Sequence, residues 1–235
     1  MSFRIDGVGD YAQRTGSANL GSATSATFLV WFRKEGSTVD RDIAVMTKPG
    51  KAVIFRDQSS TQVKGGVNFG TFVNQSMALN SWAGLALRTD GSNWDTLFYQ
   101  SGVLTVVHSE SSYSGDPIGN ITLGNNDAWG DSAAGCLRYA RFWTAALSNA
   151  EIQAEFEMTP SGGMPAARLT NLFDSWLLPT GTDGSGVNSN SLTLSGGATS
   201  AEEPTIGGGA VVAAGILRST PARPQGVGIQ GLRTL

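Results

Sequence analysis

Thiol and imidazole are nearly missing from this 235-residue chain: Cys136 is the only cysteine and His108 the only histidine. A single cysteine cannot build an internal disulfide framework, and with one histidine there is no matching ligand set for zinc or for a Cys/His nucleophile. Cys136 sits inside an apolar run, which reads as a buried, inert thiol, and His108 reads as an ordinary strand-end residue. Charge is also scarce. Charged residues make up 15% of the chain, lysine occurs only at Lys34, Lys48, Lys51 and Lys64, and the net charge is −3. Nucleic-acid affinity rests on a basic footprint, so this balance gives no general case for a nucleic-acid partner. No apolar stretch approaches the roughly 20 residues a membrane helix needs, which excludes insertion by that route. Met1-Ser2-Phe3-Arg4-Ile5 runs straight into a strand with no apolar signal region before it, so synthesis in a cytoplasm without ordinary export is expected.

What the chain does have is glycine, 31 residues of it, with Thr, Val and aromatic residues in short runs. That mixture favours strands and turns over helices. Strands are expected at Ser2–Ile5, Asp10–Arg14, Thr27–Arg33, Asp42–Thr47, Ala52–Asp57, Gly66–Phe72, Trp82–Thr89, Asp95–Gln100, Val103–His108, Asn120–Gly124, Gly135–Trp143, Leu172–Leu178 and Ser191–Leu194. Lys48-Pro49-Gly50, Asp90-Gly91 and Ser101-Gly102 are the turns between several of them. Thr27-Phe28-Leu29-Val30-Trp31-Phe32-Arg33 is apolar almost throughout, as a central strand covered on both faces would be. In Gly135–Trp143 the positions of Cys136, Tyr139 and Phe142 break strict alternation, which predicts a bulge or burial on both sides. One helix stands out: Ser148 as cap, Glu151 three residues on, Ile152 and Phe156 one turn apart. Many short strands with one helix predict an all-β, two-sheet antiparallel jelly-roll sandwich; a parallel α/β fold would need helices between successive strands.

The character changes near residue 203. Residues 1–203 form the expected sandwich domain, with 13 basic and 19 acidic side chains. Residues 204–235 hold Arg218, Arg223 and Arg233 and no acidic residue, with Pro221, Pro224 and repeated glycine blocking helix and central strand. Such a segment cannot offset its own ordering entropy alone. Two readings stay open for it: a solvated tail, or an extended arm that orders against another subunit through Val211, Val212, Ile216, Leu217 and the three arginines.

Three segments resemble the concanavalin A-like, laminin-G-like jelly rolls. They are Phe3-Arg4-Ile5-Asp6-Gly7 with Asp10-Tyr11 and the aromatic strand at 28–32; Gly135–Trp143 followed by Ala146-Leu147-Ser148 and Glu151-Ile152; and Trp176-Leu177-Leu178 with the glycine-rich stretch to Gly197. The resemblance spans roughly residues 1–200 and implies a fold more than a function. Related glucanases place carboxylates on alternate residues of one strand, facing one cleft. The seven glutamates here, Glu35, Glu110, Glu151, Glu155, Glu157, Glu202 and Glu203, form no such cluster, and Asp40-x-Asp42 reads as a turn entering a strand. Ser185 lacks a nucleophile-elbow context. A non-enzymatic protein is therefore expected. The resemblance allows a rim calcium site, for which Asn125, Asp127 and Asp131 supply hard oxygen ligands within one loop, beside the alternative of a polar turn. Tyr113, Asp116 and Trp129 are candidate carbohydrate-binding residues on the same rim, with buried packing as the alternative for the rings. Trp31, Trp82, Trp143 and Trp176 are expected in the core. Virion components of phage also carry such sandwiches, so the resemblance implies a structural or decoration protein of a particle. Its expected partners are copies of itself and other virion proteins, and its alternative is a carbohydrate-binding module whose partners are surface glycans.

Overall fold

The computed structural model describes residues 2–5, 10–15, 23–37, 40–48, 51–67, 71–111, 118–124, 133–158, 169–176, 178, 192–195 and 198–200. Their strands are β1 (Ser2–Ile5), β2 (Tyr11–Thr15), β3 (Ala26–Lys34), β4 (Asp42–Lys48), β5 (Lys51–Ser59), β6 (Gln62–Val67), β7 (Phe72–Ser76), β8 (Trp82–Thr89), β9 (Trp94–Gln100), β10 (Val103–Glu110), β11 (Asn120–Gly124) and β12 (Gly135–Trp143). Helix α1 (Asn149–Met158) then precedes β13 (Leu172–Trp176), β14 (Thr193–Ser195) and β15 (Ala198–Ser200). All pairings among the described strands are antiparallel. One sheet runs β10-β9-β8-β3-β12-β1-β15, with β13 also on β12; the second runs β14-β2-β11-β4-β5-β6-β7. Two such sheets face to face are the jelly-roll sandwich expected from the alternating runs.

The main core lies between the sheets. Phe28, Val30 and Phe32 of β3 meet Ala44, Met46, Val53, Phe55 and Val63 from the opposite layer, all fully buried. One charged pair joins them there: Lys34, at the end of β3, reaches Asp57 of β5, and both side chains are sealed from solvent. A second core explains why β3 is apolar on both faces. Leu29 and Trp31 point outward from the first sheet and are covered by Leu147, Ile152 and Phe156 from the helix and its lead-in. Trp82 and Trp143 also belong to this outer core, whereas Trp176 belongs to the inner one.

Helix α1 is held on the sheet by three devices. Ser148 and Glu151 form a reciprocal cap: the Ser148 backbone N–H donates to Glu151 Oε2 at 2.7 Å, and the Glu151 N–H to Ser148 Oγ at 3.3 Å. Arg141 Nη1 lies 3.2 Å from Glu155 Oε2, with both side chains buried. Burial pulls the Arg141 guanidinium below its usual range, and the Glu155 carboxylate opposes that shift. Third, Phe156 stacks on Tyr99 at 5.3 Å and meets Trp31 edge-on at 5.5 Å, directly above Gly84.

The irregularity expected in β12 is a bulge. Arg138 is opposite Trp31 but Arg141 is opposite Leu29, so one extra residue is accommodated, and Tyr139 takes φ +51°. Tyr139 joins the outer core and Leu137 and Ala140 the inner one, with the Arg138 guanidinium over the Tyr139 ring at 4.4 Å. The strand expected at Gly66–Phe72 is not one element. β6 ends at Val67 and β7 begins at Phe72. Gly65 and Gly66 both lie inside β6, where neighbours fill the space a side chain would need. A Cβ on Gly65 would stand 2.9 Å from Thr96 Cβ, and one on Gly66 2.6 Å from Phe72 Cδ1.

Candidate functional site

At the Thr89 end of β8 the outer face of the first sheet carries a row of polar residues. Arg88 is opposite Asp95, and Asp95 is opposite Ser109. Alternation along three strands therefore brings together side chains far apart in sequence. Arg88 Nε donates to Asp95 Oδ2 at 2.8 Å, and its Nη1 reaches both the Leu147 carbonyl and Asn149 Oδ1 at 2.8 Å. One guanidinium thus clamps the strand pair to the helix lead-in. The neighbouring turn is held as firmly. Asp90 Oδ1 accepts the backbone N–H groups of Ser92 (2.9 Å) and Asn93 (2.7 Å), while Oδ2 accepts Asn93 Nδ2 at 2.7 Å. Gly91 at φ +100° lets the chain turn there.

Between this turn and the helix cap lies an open groove of about 570 Å³. Asp90, Asn93 and Ser109 form one side, Ser148 and Glu151 the other, and Val106, Ala146 and Leu147 supply an aliphatic lining. Polar groups fixed before a ligand arrives lose little entropy on binding, and Asp90 Oδ2, which accepts one bond, keeps a lone pair for a hydroxyl donor.

The same bonds limit the chemistry. Asp95 is paired with Arg88, and Glu151 is used in the helix cap. Burial alone would raise the Asp90 pKa, but the Asn93 side chain, the Asn93 and Ser92 N–H groups and the Arg88 charge together hold it below the usual carboxylate value. A glycosidase general acid needs the opposite shift. Asp40 and Asp42 are engaged elsewhere: Asp40, in a turn at φ +64°, pairs with Lys64, and Asp42 accepts Arg56 Nε at 2.5 Å. No group of three or more His, Cys, Asp or Glu side chains suited to a metal occurs among the described residues.

Cys136 is buried, its Sγ 3.3 Å from Glu35 Oε1, and His108 lies half-buried on β10 with Nε2 3.6 Å from Glu110 Oε2. The structure brings neither to the groove. The sugar-contact candidates Tyr113, Asp116 and Trp129 lie outside the described residues. So do the calcium candidates Asn125, Asp127 and Asp131, Ser185, and all the arm residues from Val211 to Arg233. Sequence reading missed the groove itself. Its signal was present in Arg88 and Asp95 flanking the Asp90-Gly91 turn, a spacing that makes them cross-strand partners once the hairpin closes.

No protein-family model matches the chain, and no curated protein matches it. Solved structures do. A candidate carbohydrate-binding protein from Bacteroides ovatus ATCC 8483 superposes with a TM-score of 0.58, at 14% identity, over 88% of this chain and 62% of its own. The shared feature is the sandwich. A Trypanosoma rangeli sialidase solved with sialic acid matches with a TM-score of 0.52, at 12% identity, over 67% of this chain and 28% of its own. At these identities the likeness is one of fold, and the chain spans less than two thirds of the length of either neighbour.

Proposed function

We propose that this chain is a non-catalytic carbohydrate-binding sandwich that takes a saccharide in the groove between the Asp90–Asn93 turn and the start of α1. One observation carries the reading: a fan of fixed hydrogen-bonding groups, organised by Arg88, opens over an aliphatic lining, while every carboxylate in it already serves a structural bond. Sugars present both hydroxyls and C–H faces, and such a lining meets both. The Bacteroides ovatus neighbour, named for carbohydrate binding and matched over 88% of this chain, agrees with that reading.

Glycan-array binding of the full chain, compared with Ser109→Trp, tests it. Ser109 is exposed on β10 and lines the groove, so an indole there fills the space without removing any bond of the Arg88 network. Saccharide binding should fall at least tenfold with thermal stability unchanged. Undiminished binding by a folded Ser109→Trp protein would place the site elsewhere.

Attachment to a virion through residues 204–235 is a second reading, compatible with the first. Its support is the composition of that segment, three arginines and no acid among apolar patches. Particle incorporation that persists after deletion of residues 205–235 would end it.

A further inference from the structure

A second groove, of about 460 Å³, opens at the end of the sandwich where the β5–β6 and β9–β10 turns meet the segment after β7. Among the described residues its lining includes no charged side chain. Gln62 and Gln100 supply carboxamides, Thr61, Ser76 and Ser101 supply hydroxyls, and the exposed Ala78 supplies a methyl group, with Met77 buried beneath. The backbone beneath is hydrogen-bonded. Met77 N–H donates to the Thr61 carbonyl at 2.8 Å, and Gln62 is opposite Ser76 in the β6–β7 register. Ser101 and Gly102, at φ +53° and +81°, close the β9–β10 hairpin in the tight form whose two central residues both need positive φ. Gln100 Nε2 makes one long bond, 3.4 Å to Ser81 Oγ, which leaves its carbonyl oxygen and second N–H for other partners.

From this geometry we infer a second binding site, for a neutral saccharide. The described lining has neither carboxylate nor cation and offers no counter-charge to a metal ion, a phosphate or a uronic acid. Carboxamides, each with an acceptor and two donors, match the paired donor and acceptor character of neighbouring sugar hydroxyls. The exposed Ala78 methyl gives the C–H face of a ring an apolar contact. The inference shares the saccharide reading of the first groove, yet the two sites are separate. Asp95 and Gln100 stand five residues apart on β9, which puts the grooves about 17 Å apart along one strand.

Side-chain and backbone amide spectra of the uniformly ¹⁵N-labelled full chain separate the two. Cellotetraose, mannotetraose, xylotetraose and maltotetraose are titrated to 10 mM, with tetragalacturonate as the anionic control. At least one neutral tetrasaccharide is expected to shift the Gln62 and Gln100 carboxamide signals and the Thr61 and Ser101 amides, with no shift from tetragalacturonate. Those shifts should persist in Ser109→Trp. In Gln62→Ala and Gln100→Ala the apparent affinity at the second groove should fall about tenfold, while core amide signals stay in place. Shifts confined to residues 88–95 and 106–109 would overturn the second site and leave the first intact. Shifts at neither groove with any of the four neutral probes would overturn both, and equal shifts with tetragalacturonate would overturn the neutral class.

Discussion

Replacing Gly84 by alanine tests how the helix is seated, because the added methyl group has nowhere to go. Its Cβ would lie 2.5 Å from Phe156 Cδ1 and Cε1 and 2.8 Å from Cγ, far inside contact distance. The ring cannot simply slide. Phe156 is 1% exposed and lies between Tyr99, stacked at 5.3 Å, and Trp31, edge-on at 5.5 Å. Overpacking of this kind costs about 1–3 kcal/mol. Alanine recovers about 0.5–1 kcal/mol over glycine within a strand, since it has less chain entropy to lose. The net loss should be about 1–2 kcal/mol. Phe156→Ala alone removes a buried ring and should cost about 3–5 kcal/mol. Once that cavity exists the sign of the first change reverses, and Gly84→Ala should stabilise the Phe156→Ala protein by about 0.5–1 kcal/mol. Urea denaturation followed by tryptophan fluorescence, run on all four members of the cycle, reads the coupling directly. A Gly84→Ala cost that is the same in both backgrounds would refute the seating described here.

Two further outcomes follow from other contacts. Glu155→Ala should destabilise by about 3–5 kcal/mol because it removes the buried carboxylate that opposes the cost of burying the Arg141 charge; Arg141→Met with Glu155→Leu should restore most of that loss in the same urea experiment. Asp90 has a carboxyl held below its ordinary value of 3.8, so its turn adds stability that is fully present above that value and is lost as pH falls through the lower, folded one. The thermal midpoint between pH 5 and pH 2 should therefore fall less steeply in Asp90→Ala than in the unaltered chain, and parallel curves would contradict the network drawn around that side chain.

Local pattern was enough for much of the architecture. β1, β8, β11 and β12 have the bounds read from alternation and turn residues alone, and the cap on α1 follows from Ser148 and Glu151. The two-sided burial of β3 was visible as an unbroken apolar run. Periodicity could not show which partner fills the space above a glycine. Gly66 therefore read as the start of a strand reaching Phe72, whereas Gly65 and Gly66 lie inside β6, where Thr96 and Phe72 occupy the volume a side chain would need.

The grooves fall on the other side of that division. In the chain alone Arg88, Ser109 and Glu151 are three unrelated polar residues, and Gln62 and Gln100 are two more. Sequence determined that this is a two-sheet β-sandwich with one capped helix, because strand and helix periods are local properties of neighbouring residues. Tertiary structure alone decided which polar side chains share a face, since that depends on strand register and on where α1 settles over Gly84. It also decided that the carboxylates near Arg88 are bound into structural bonds rather than free for chemistry, because a carboxylate's partners come from whichever strands and turns the fold brings beside it.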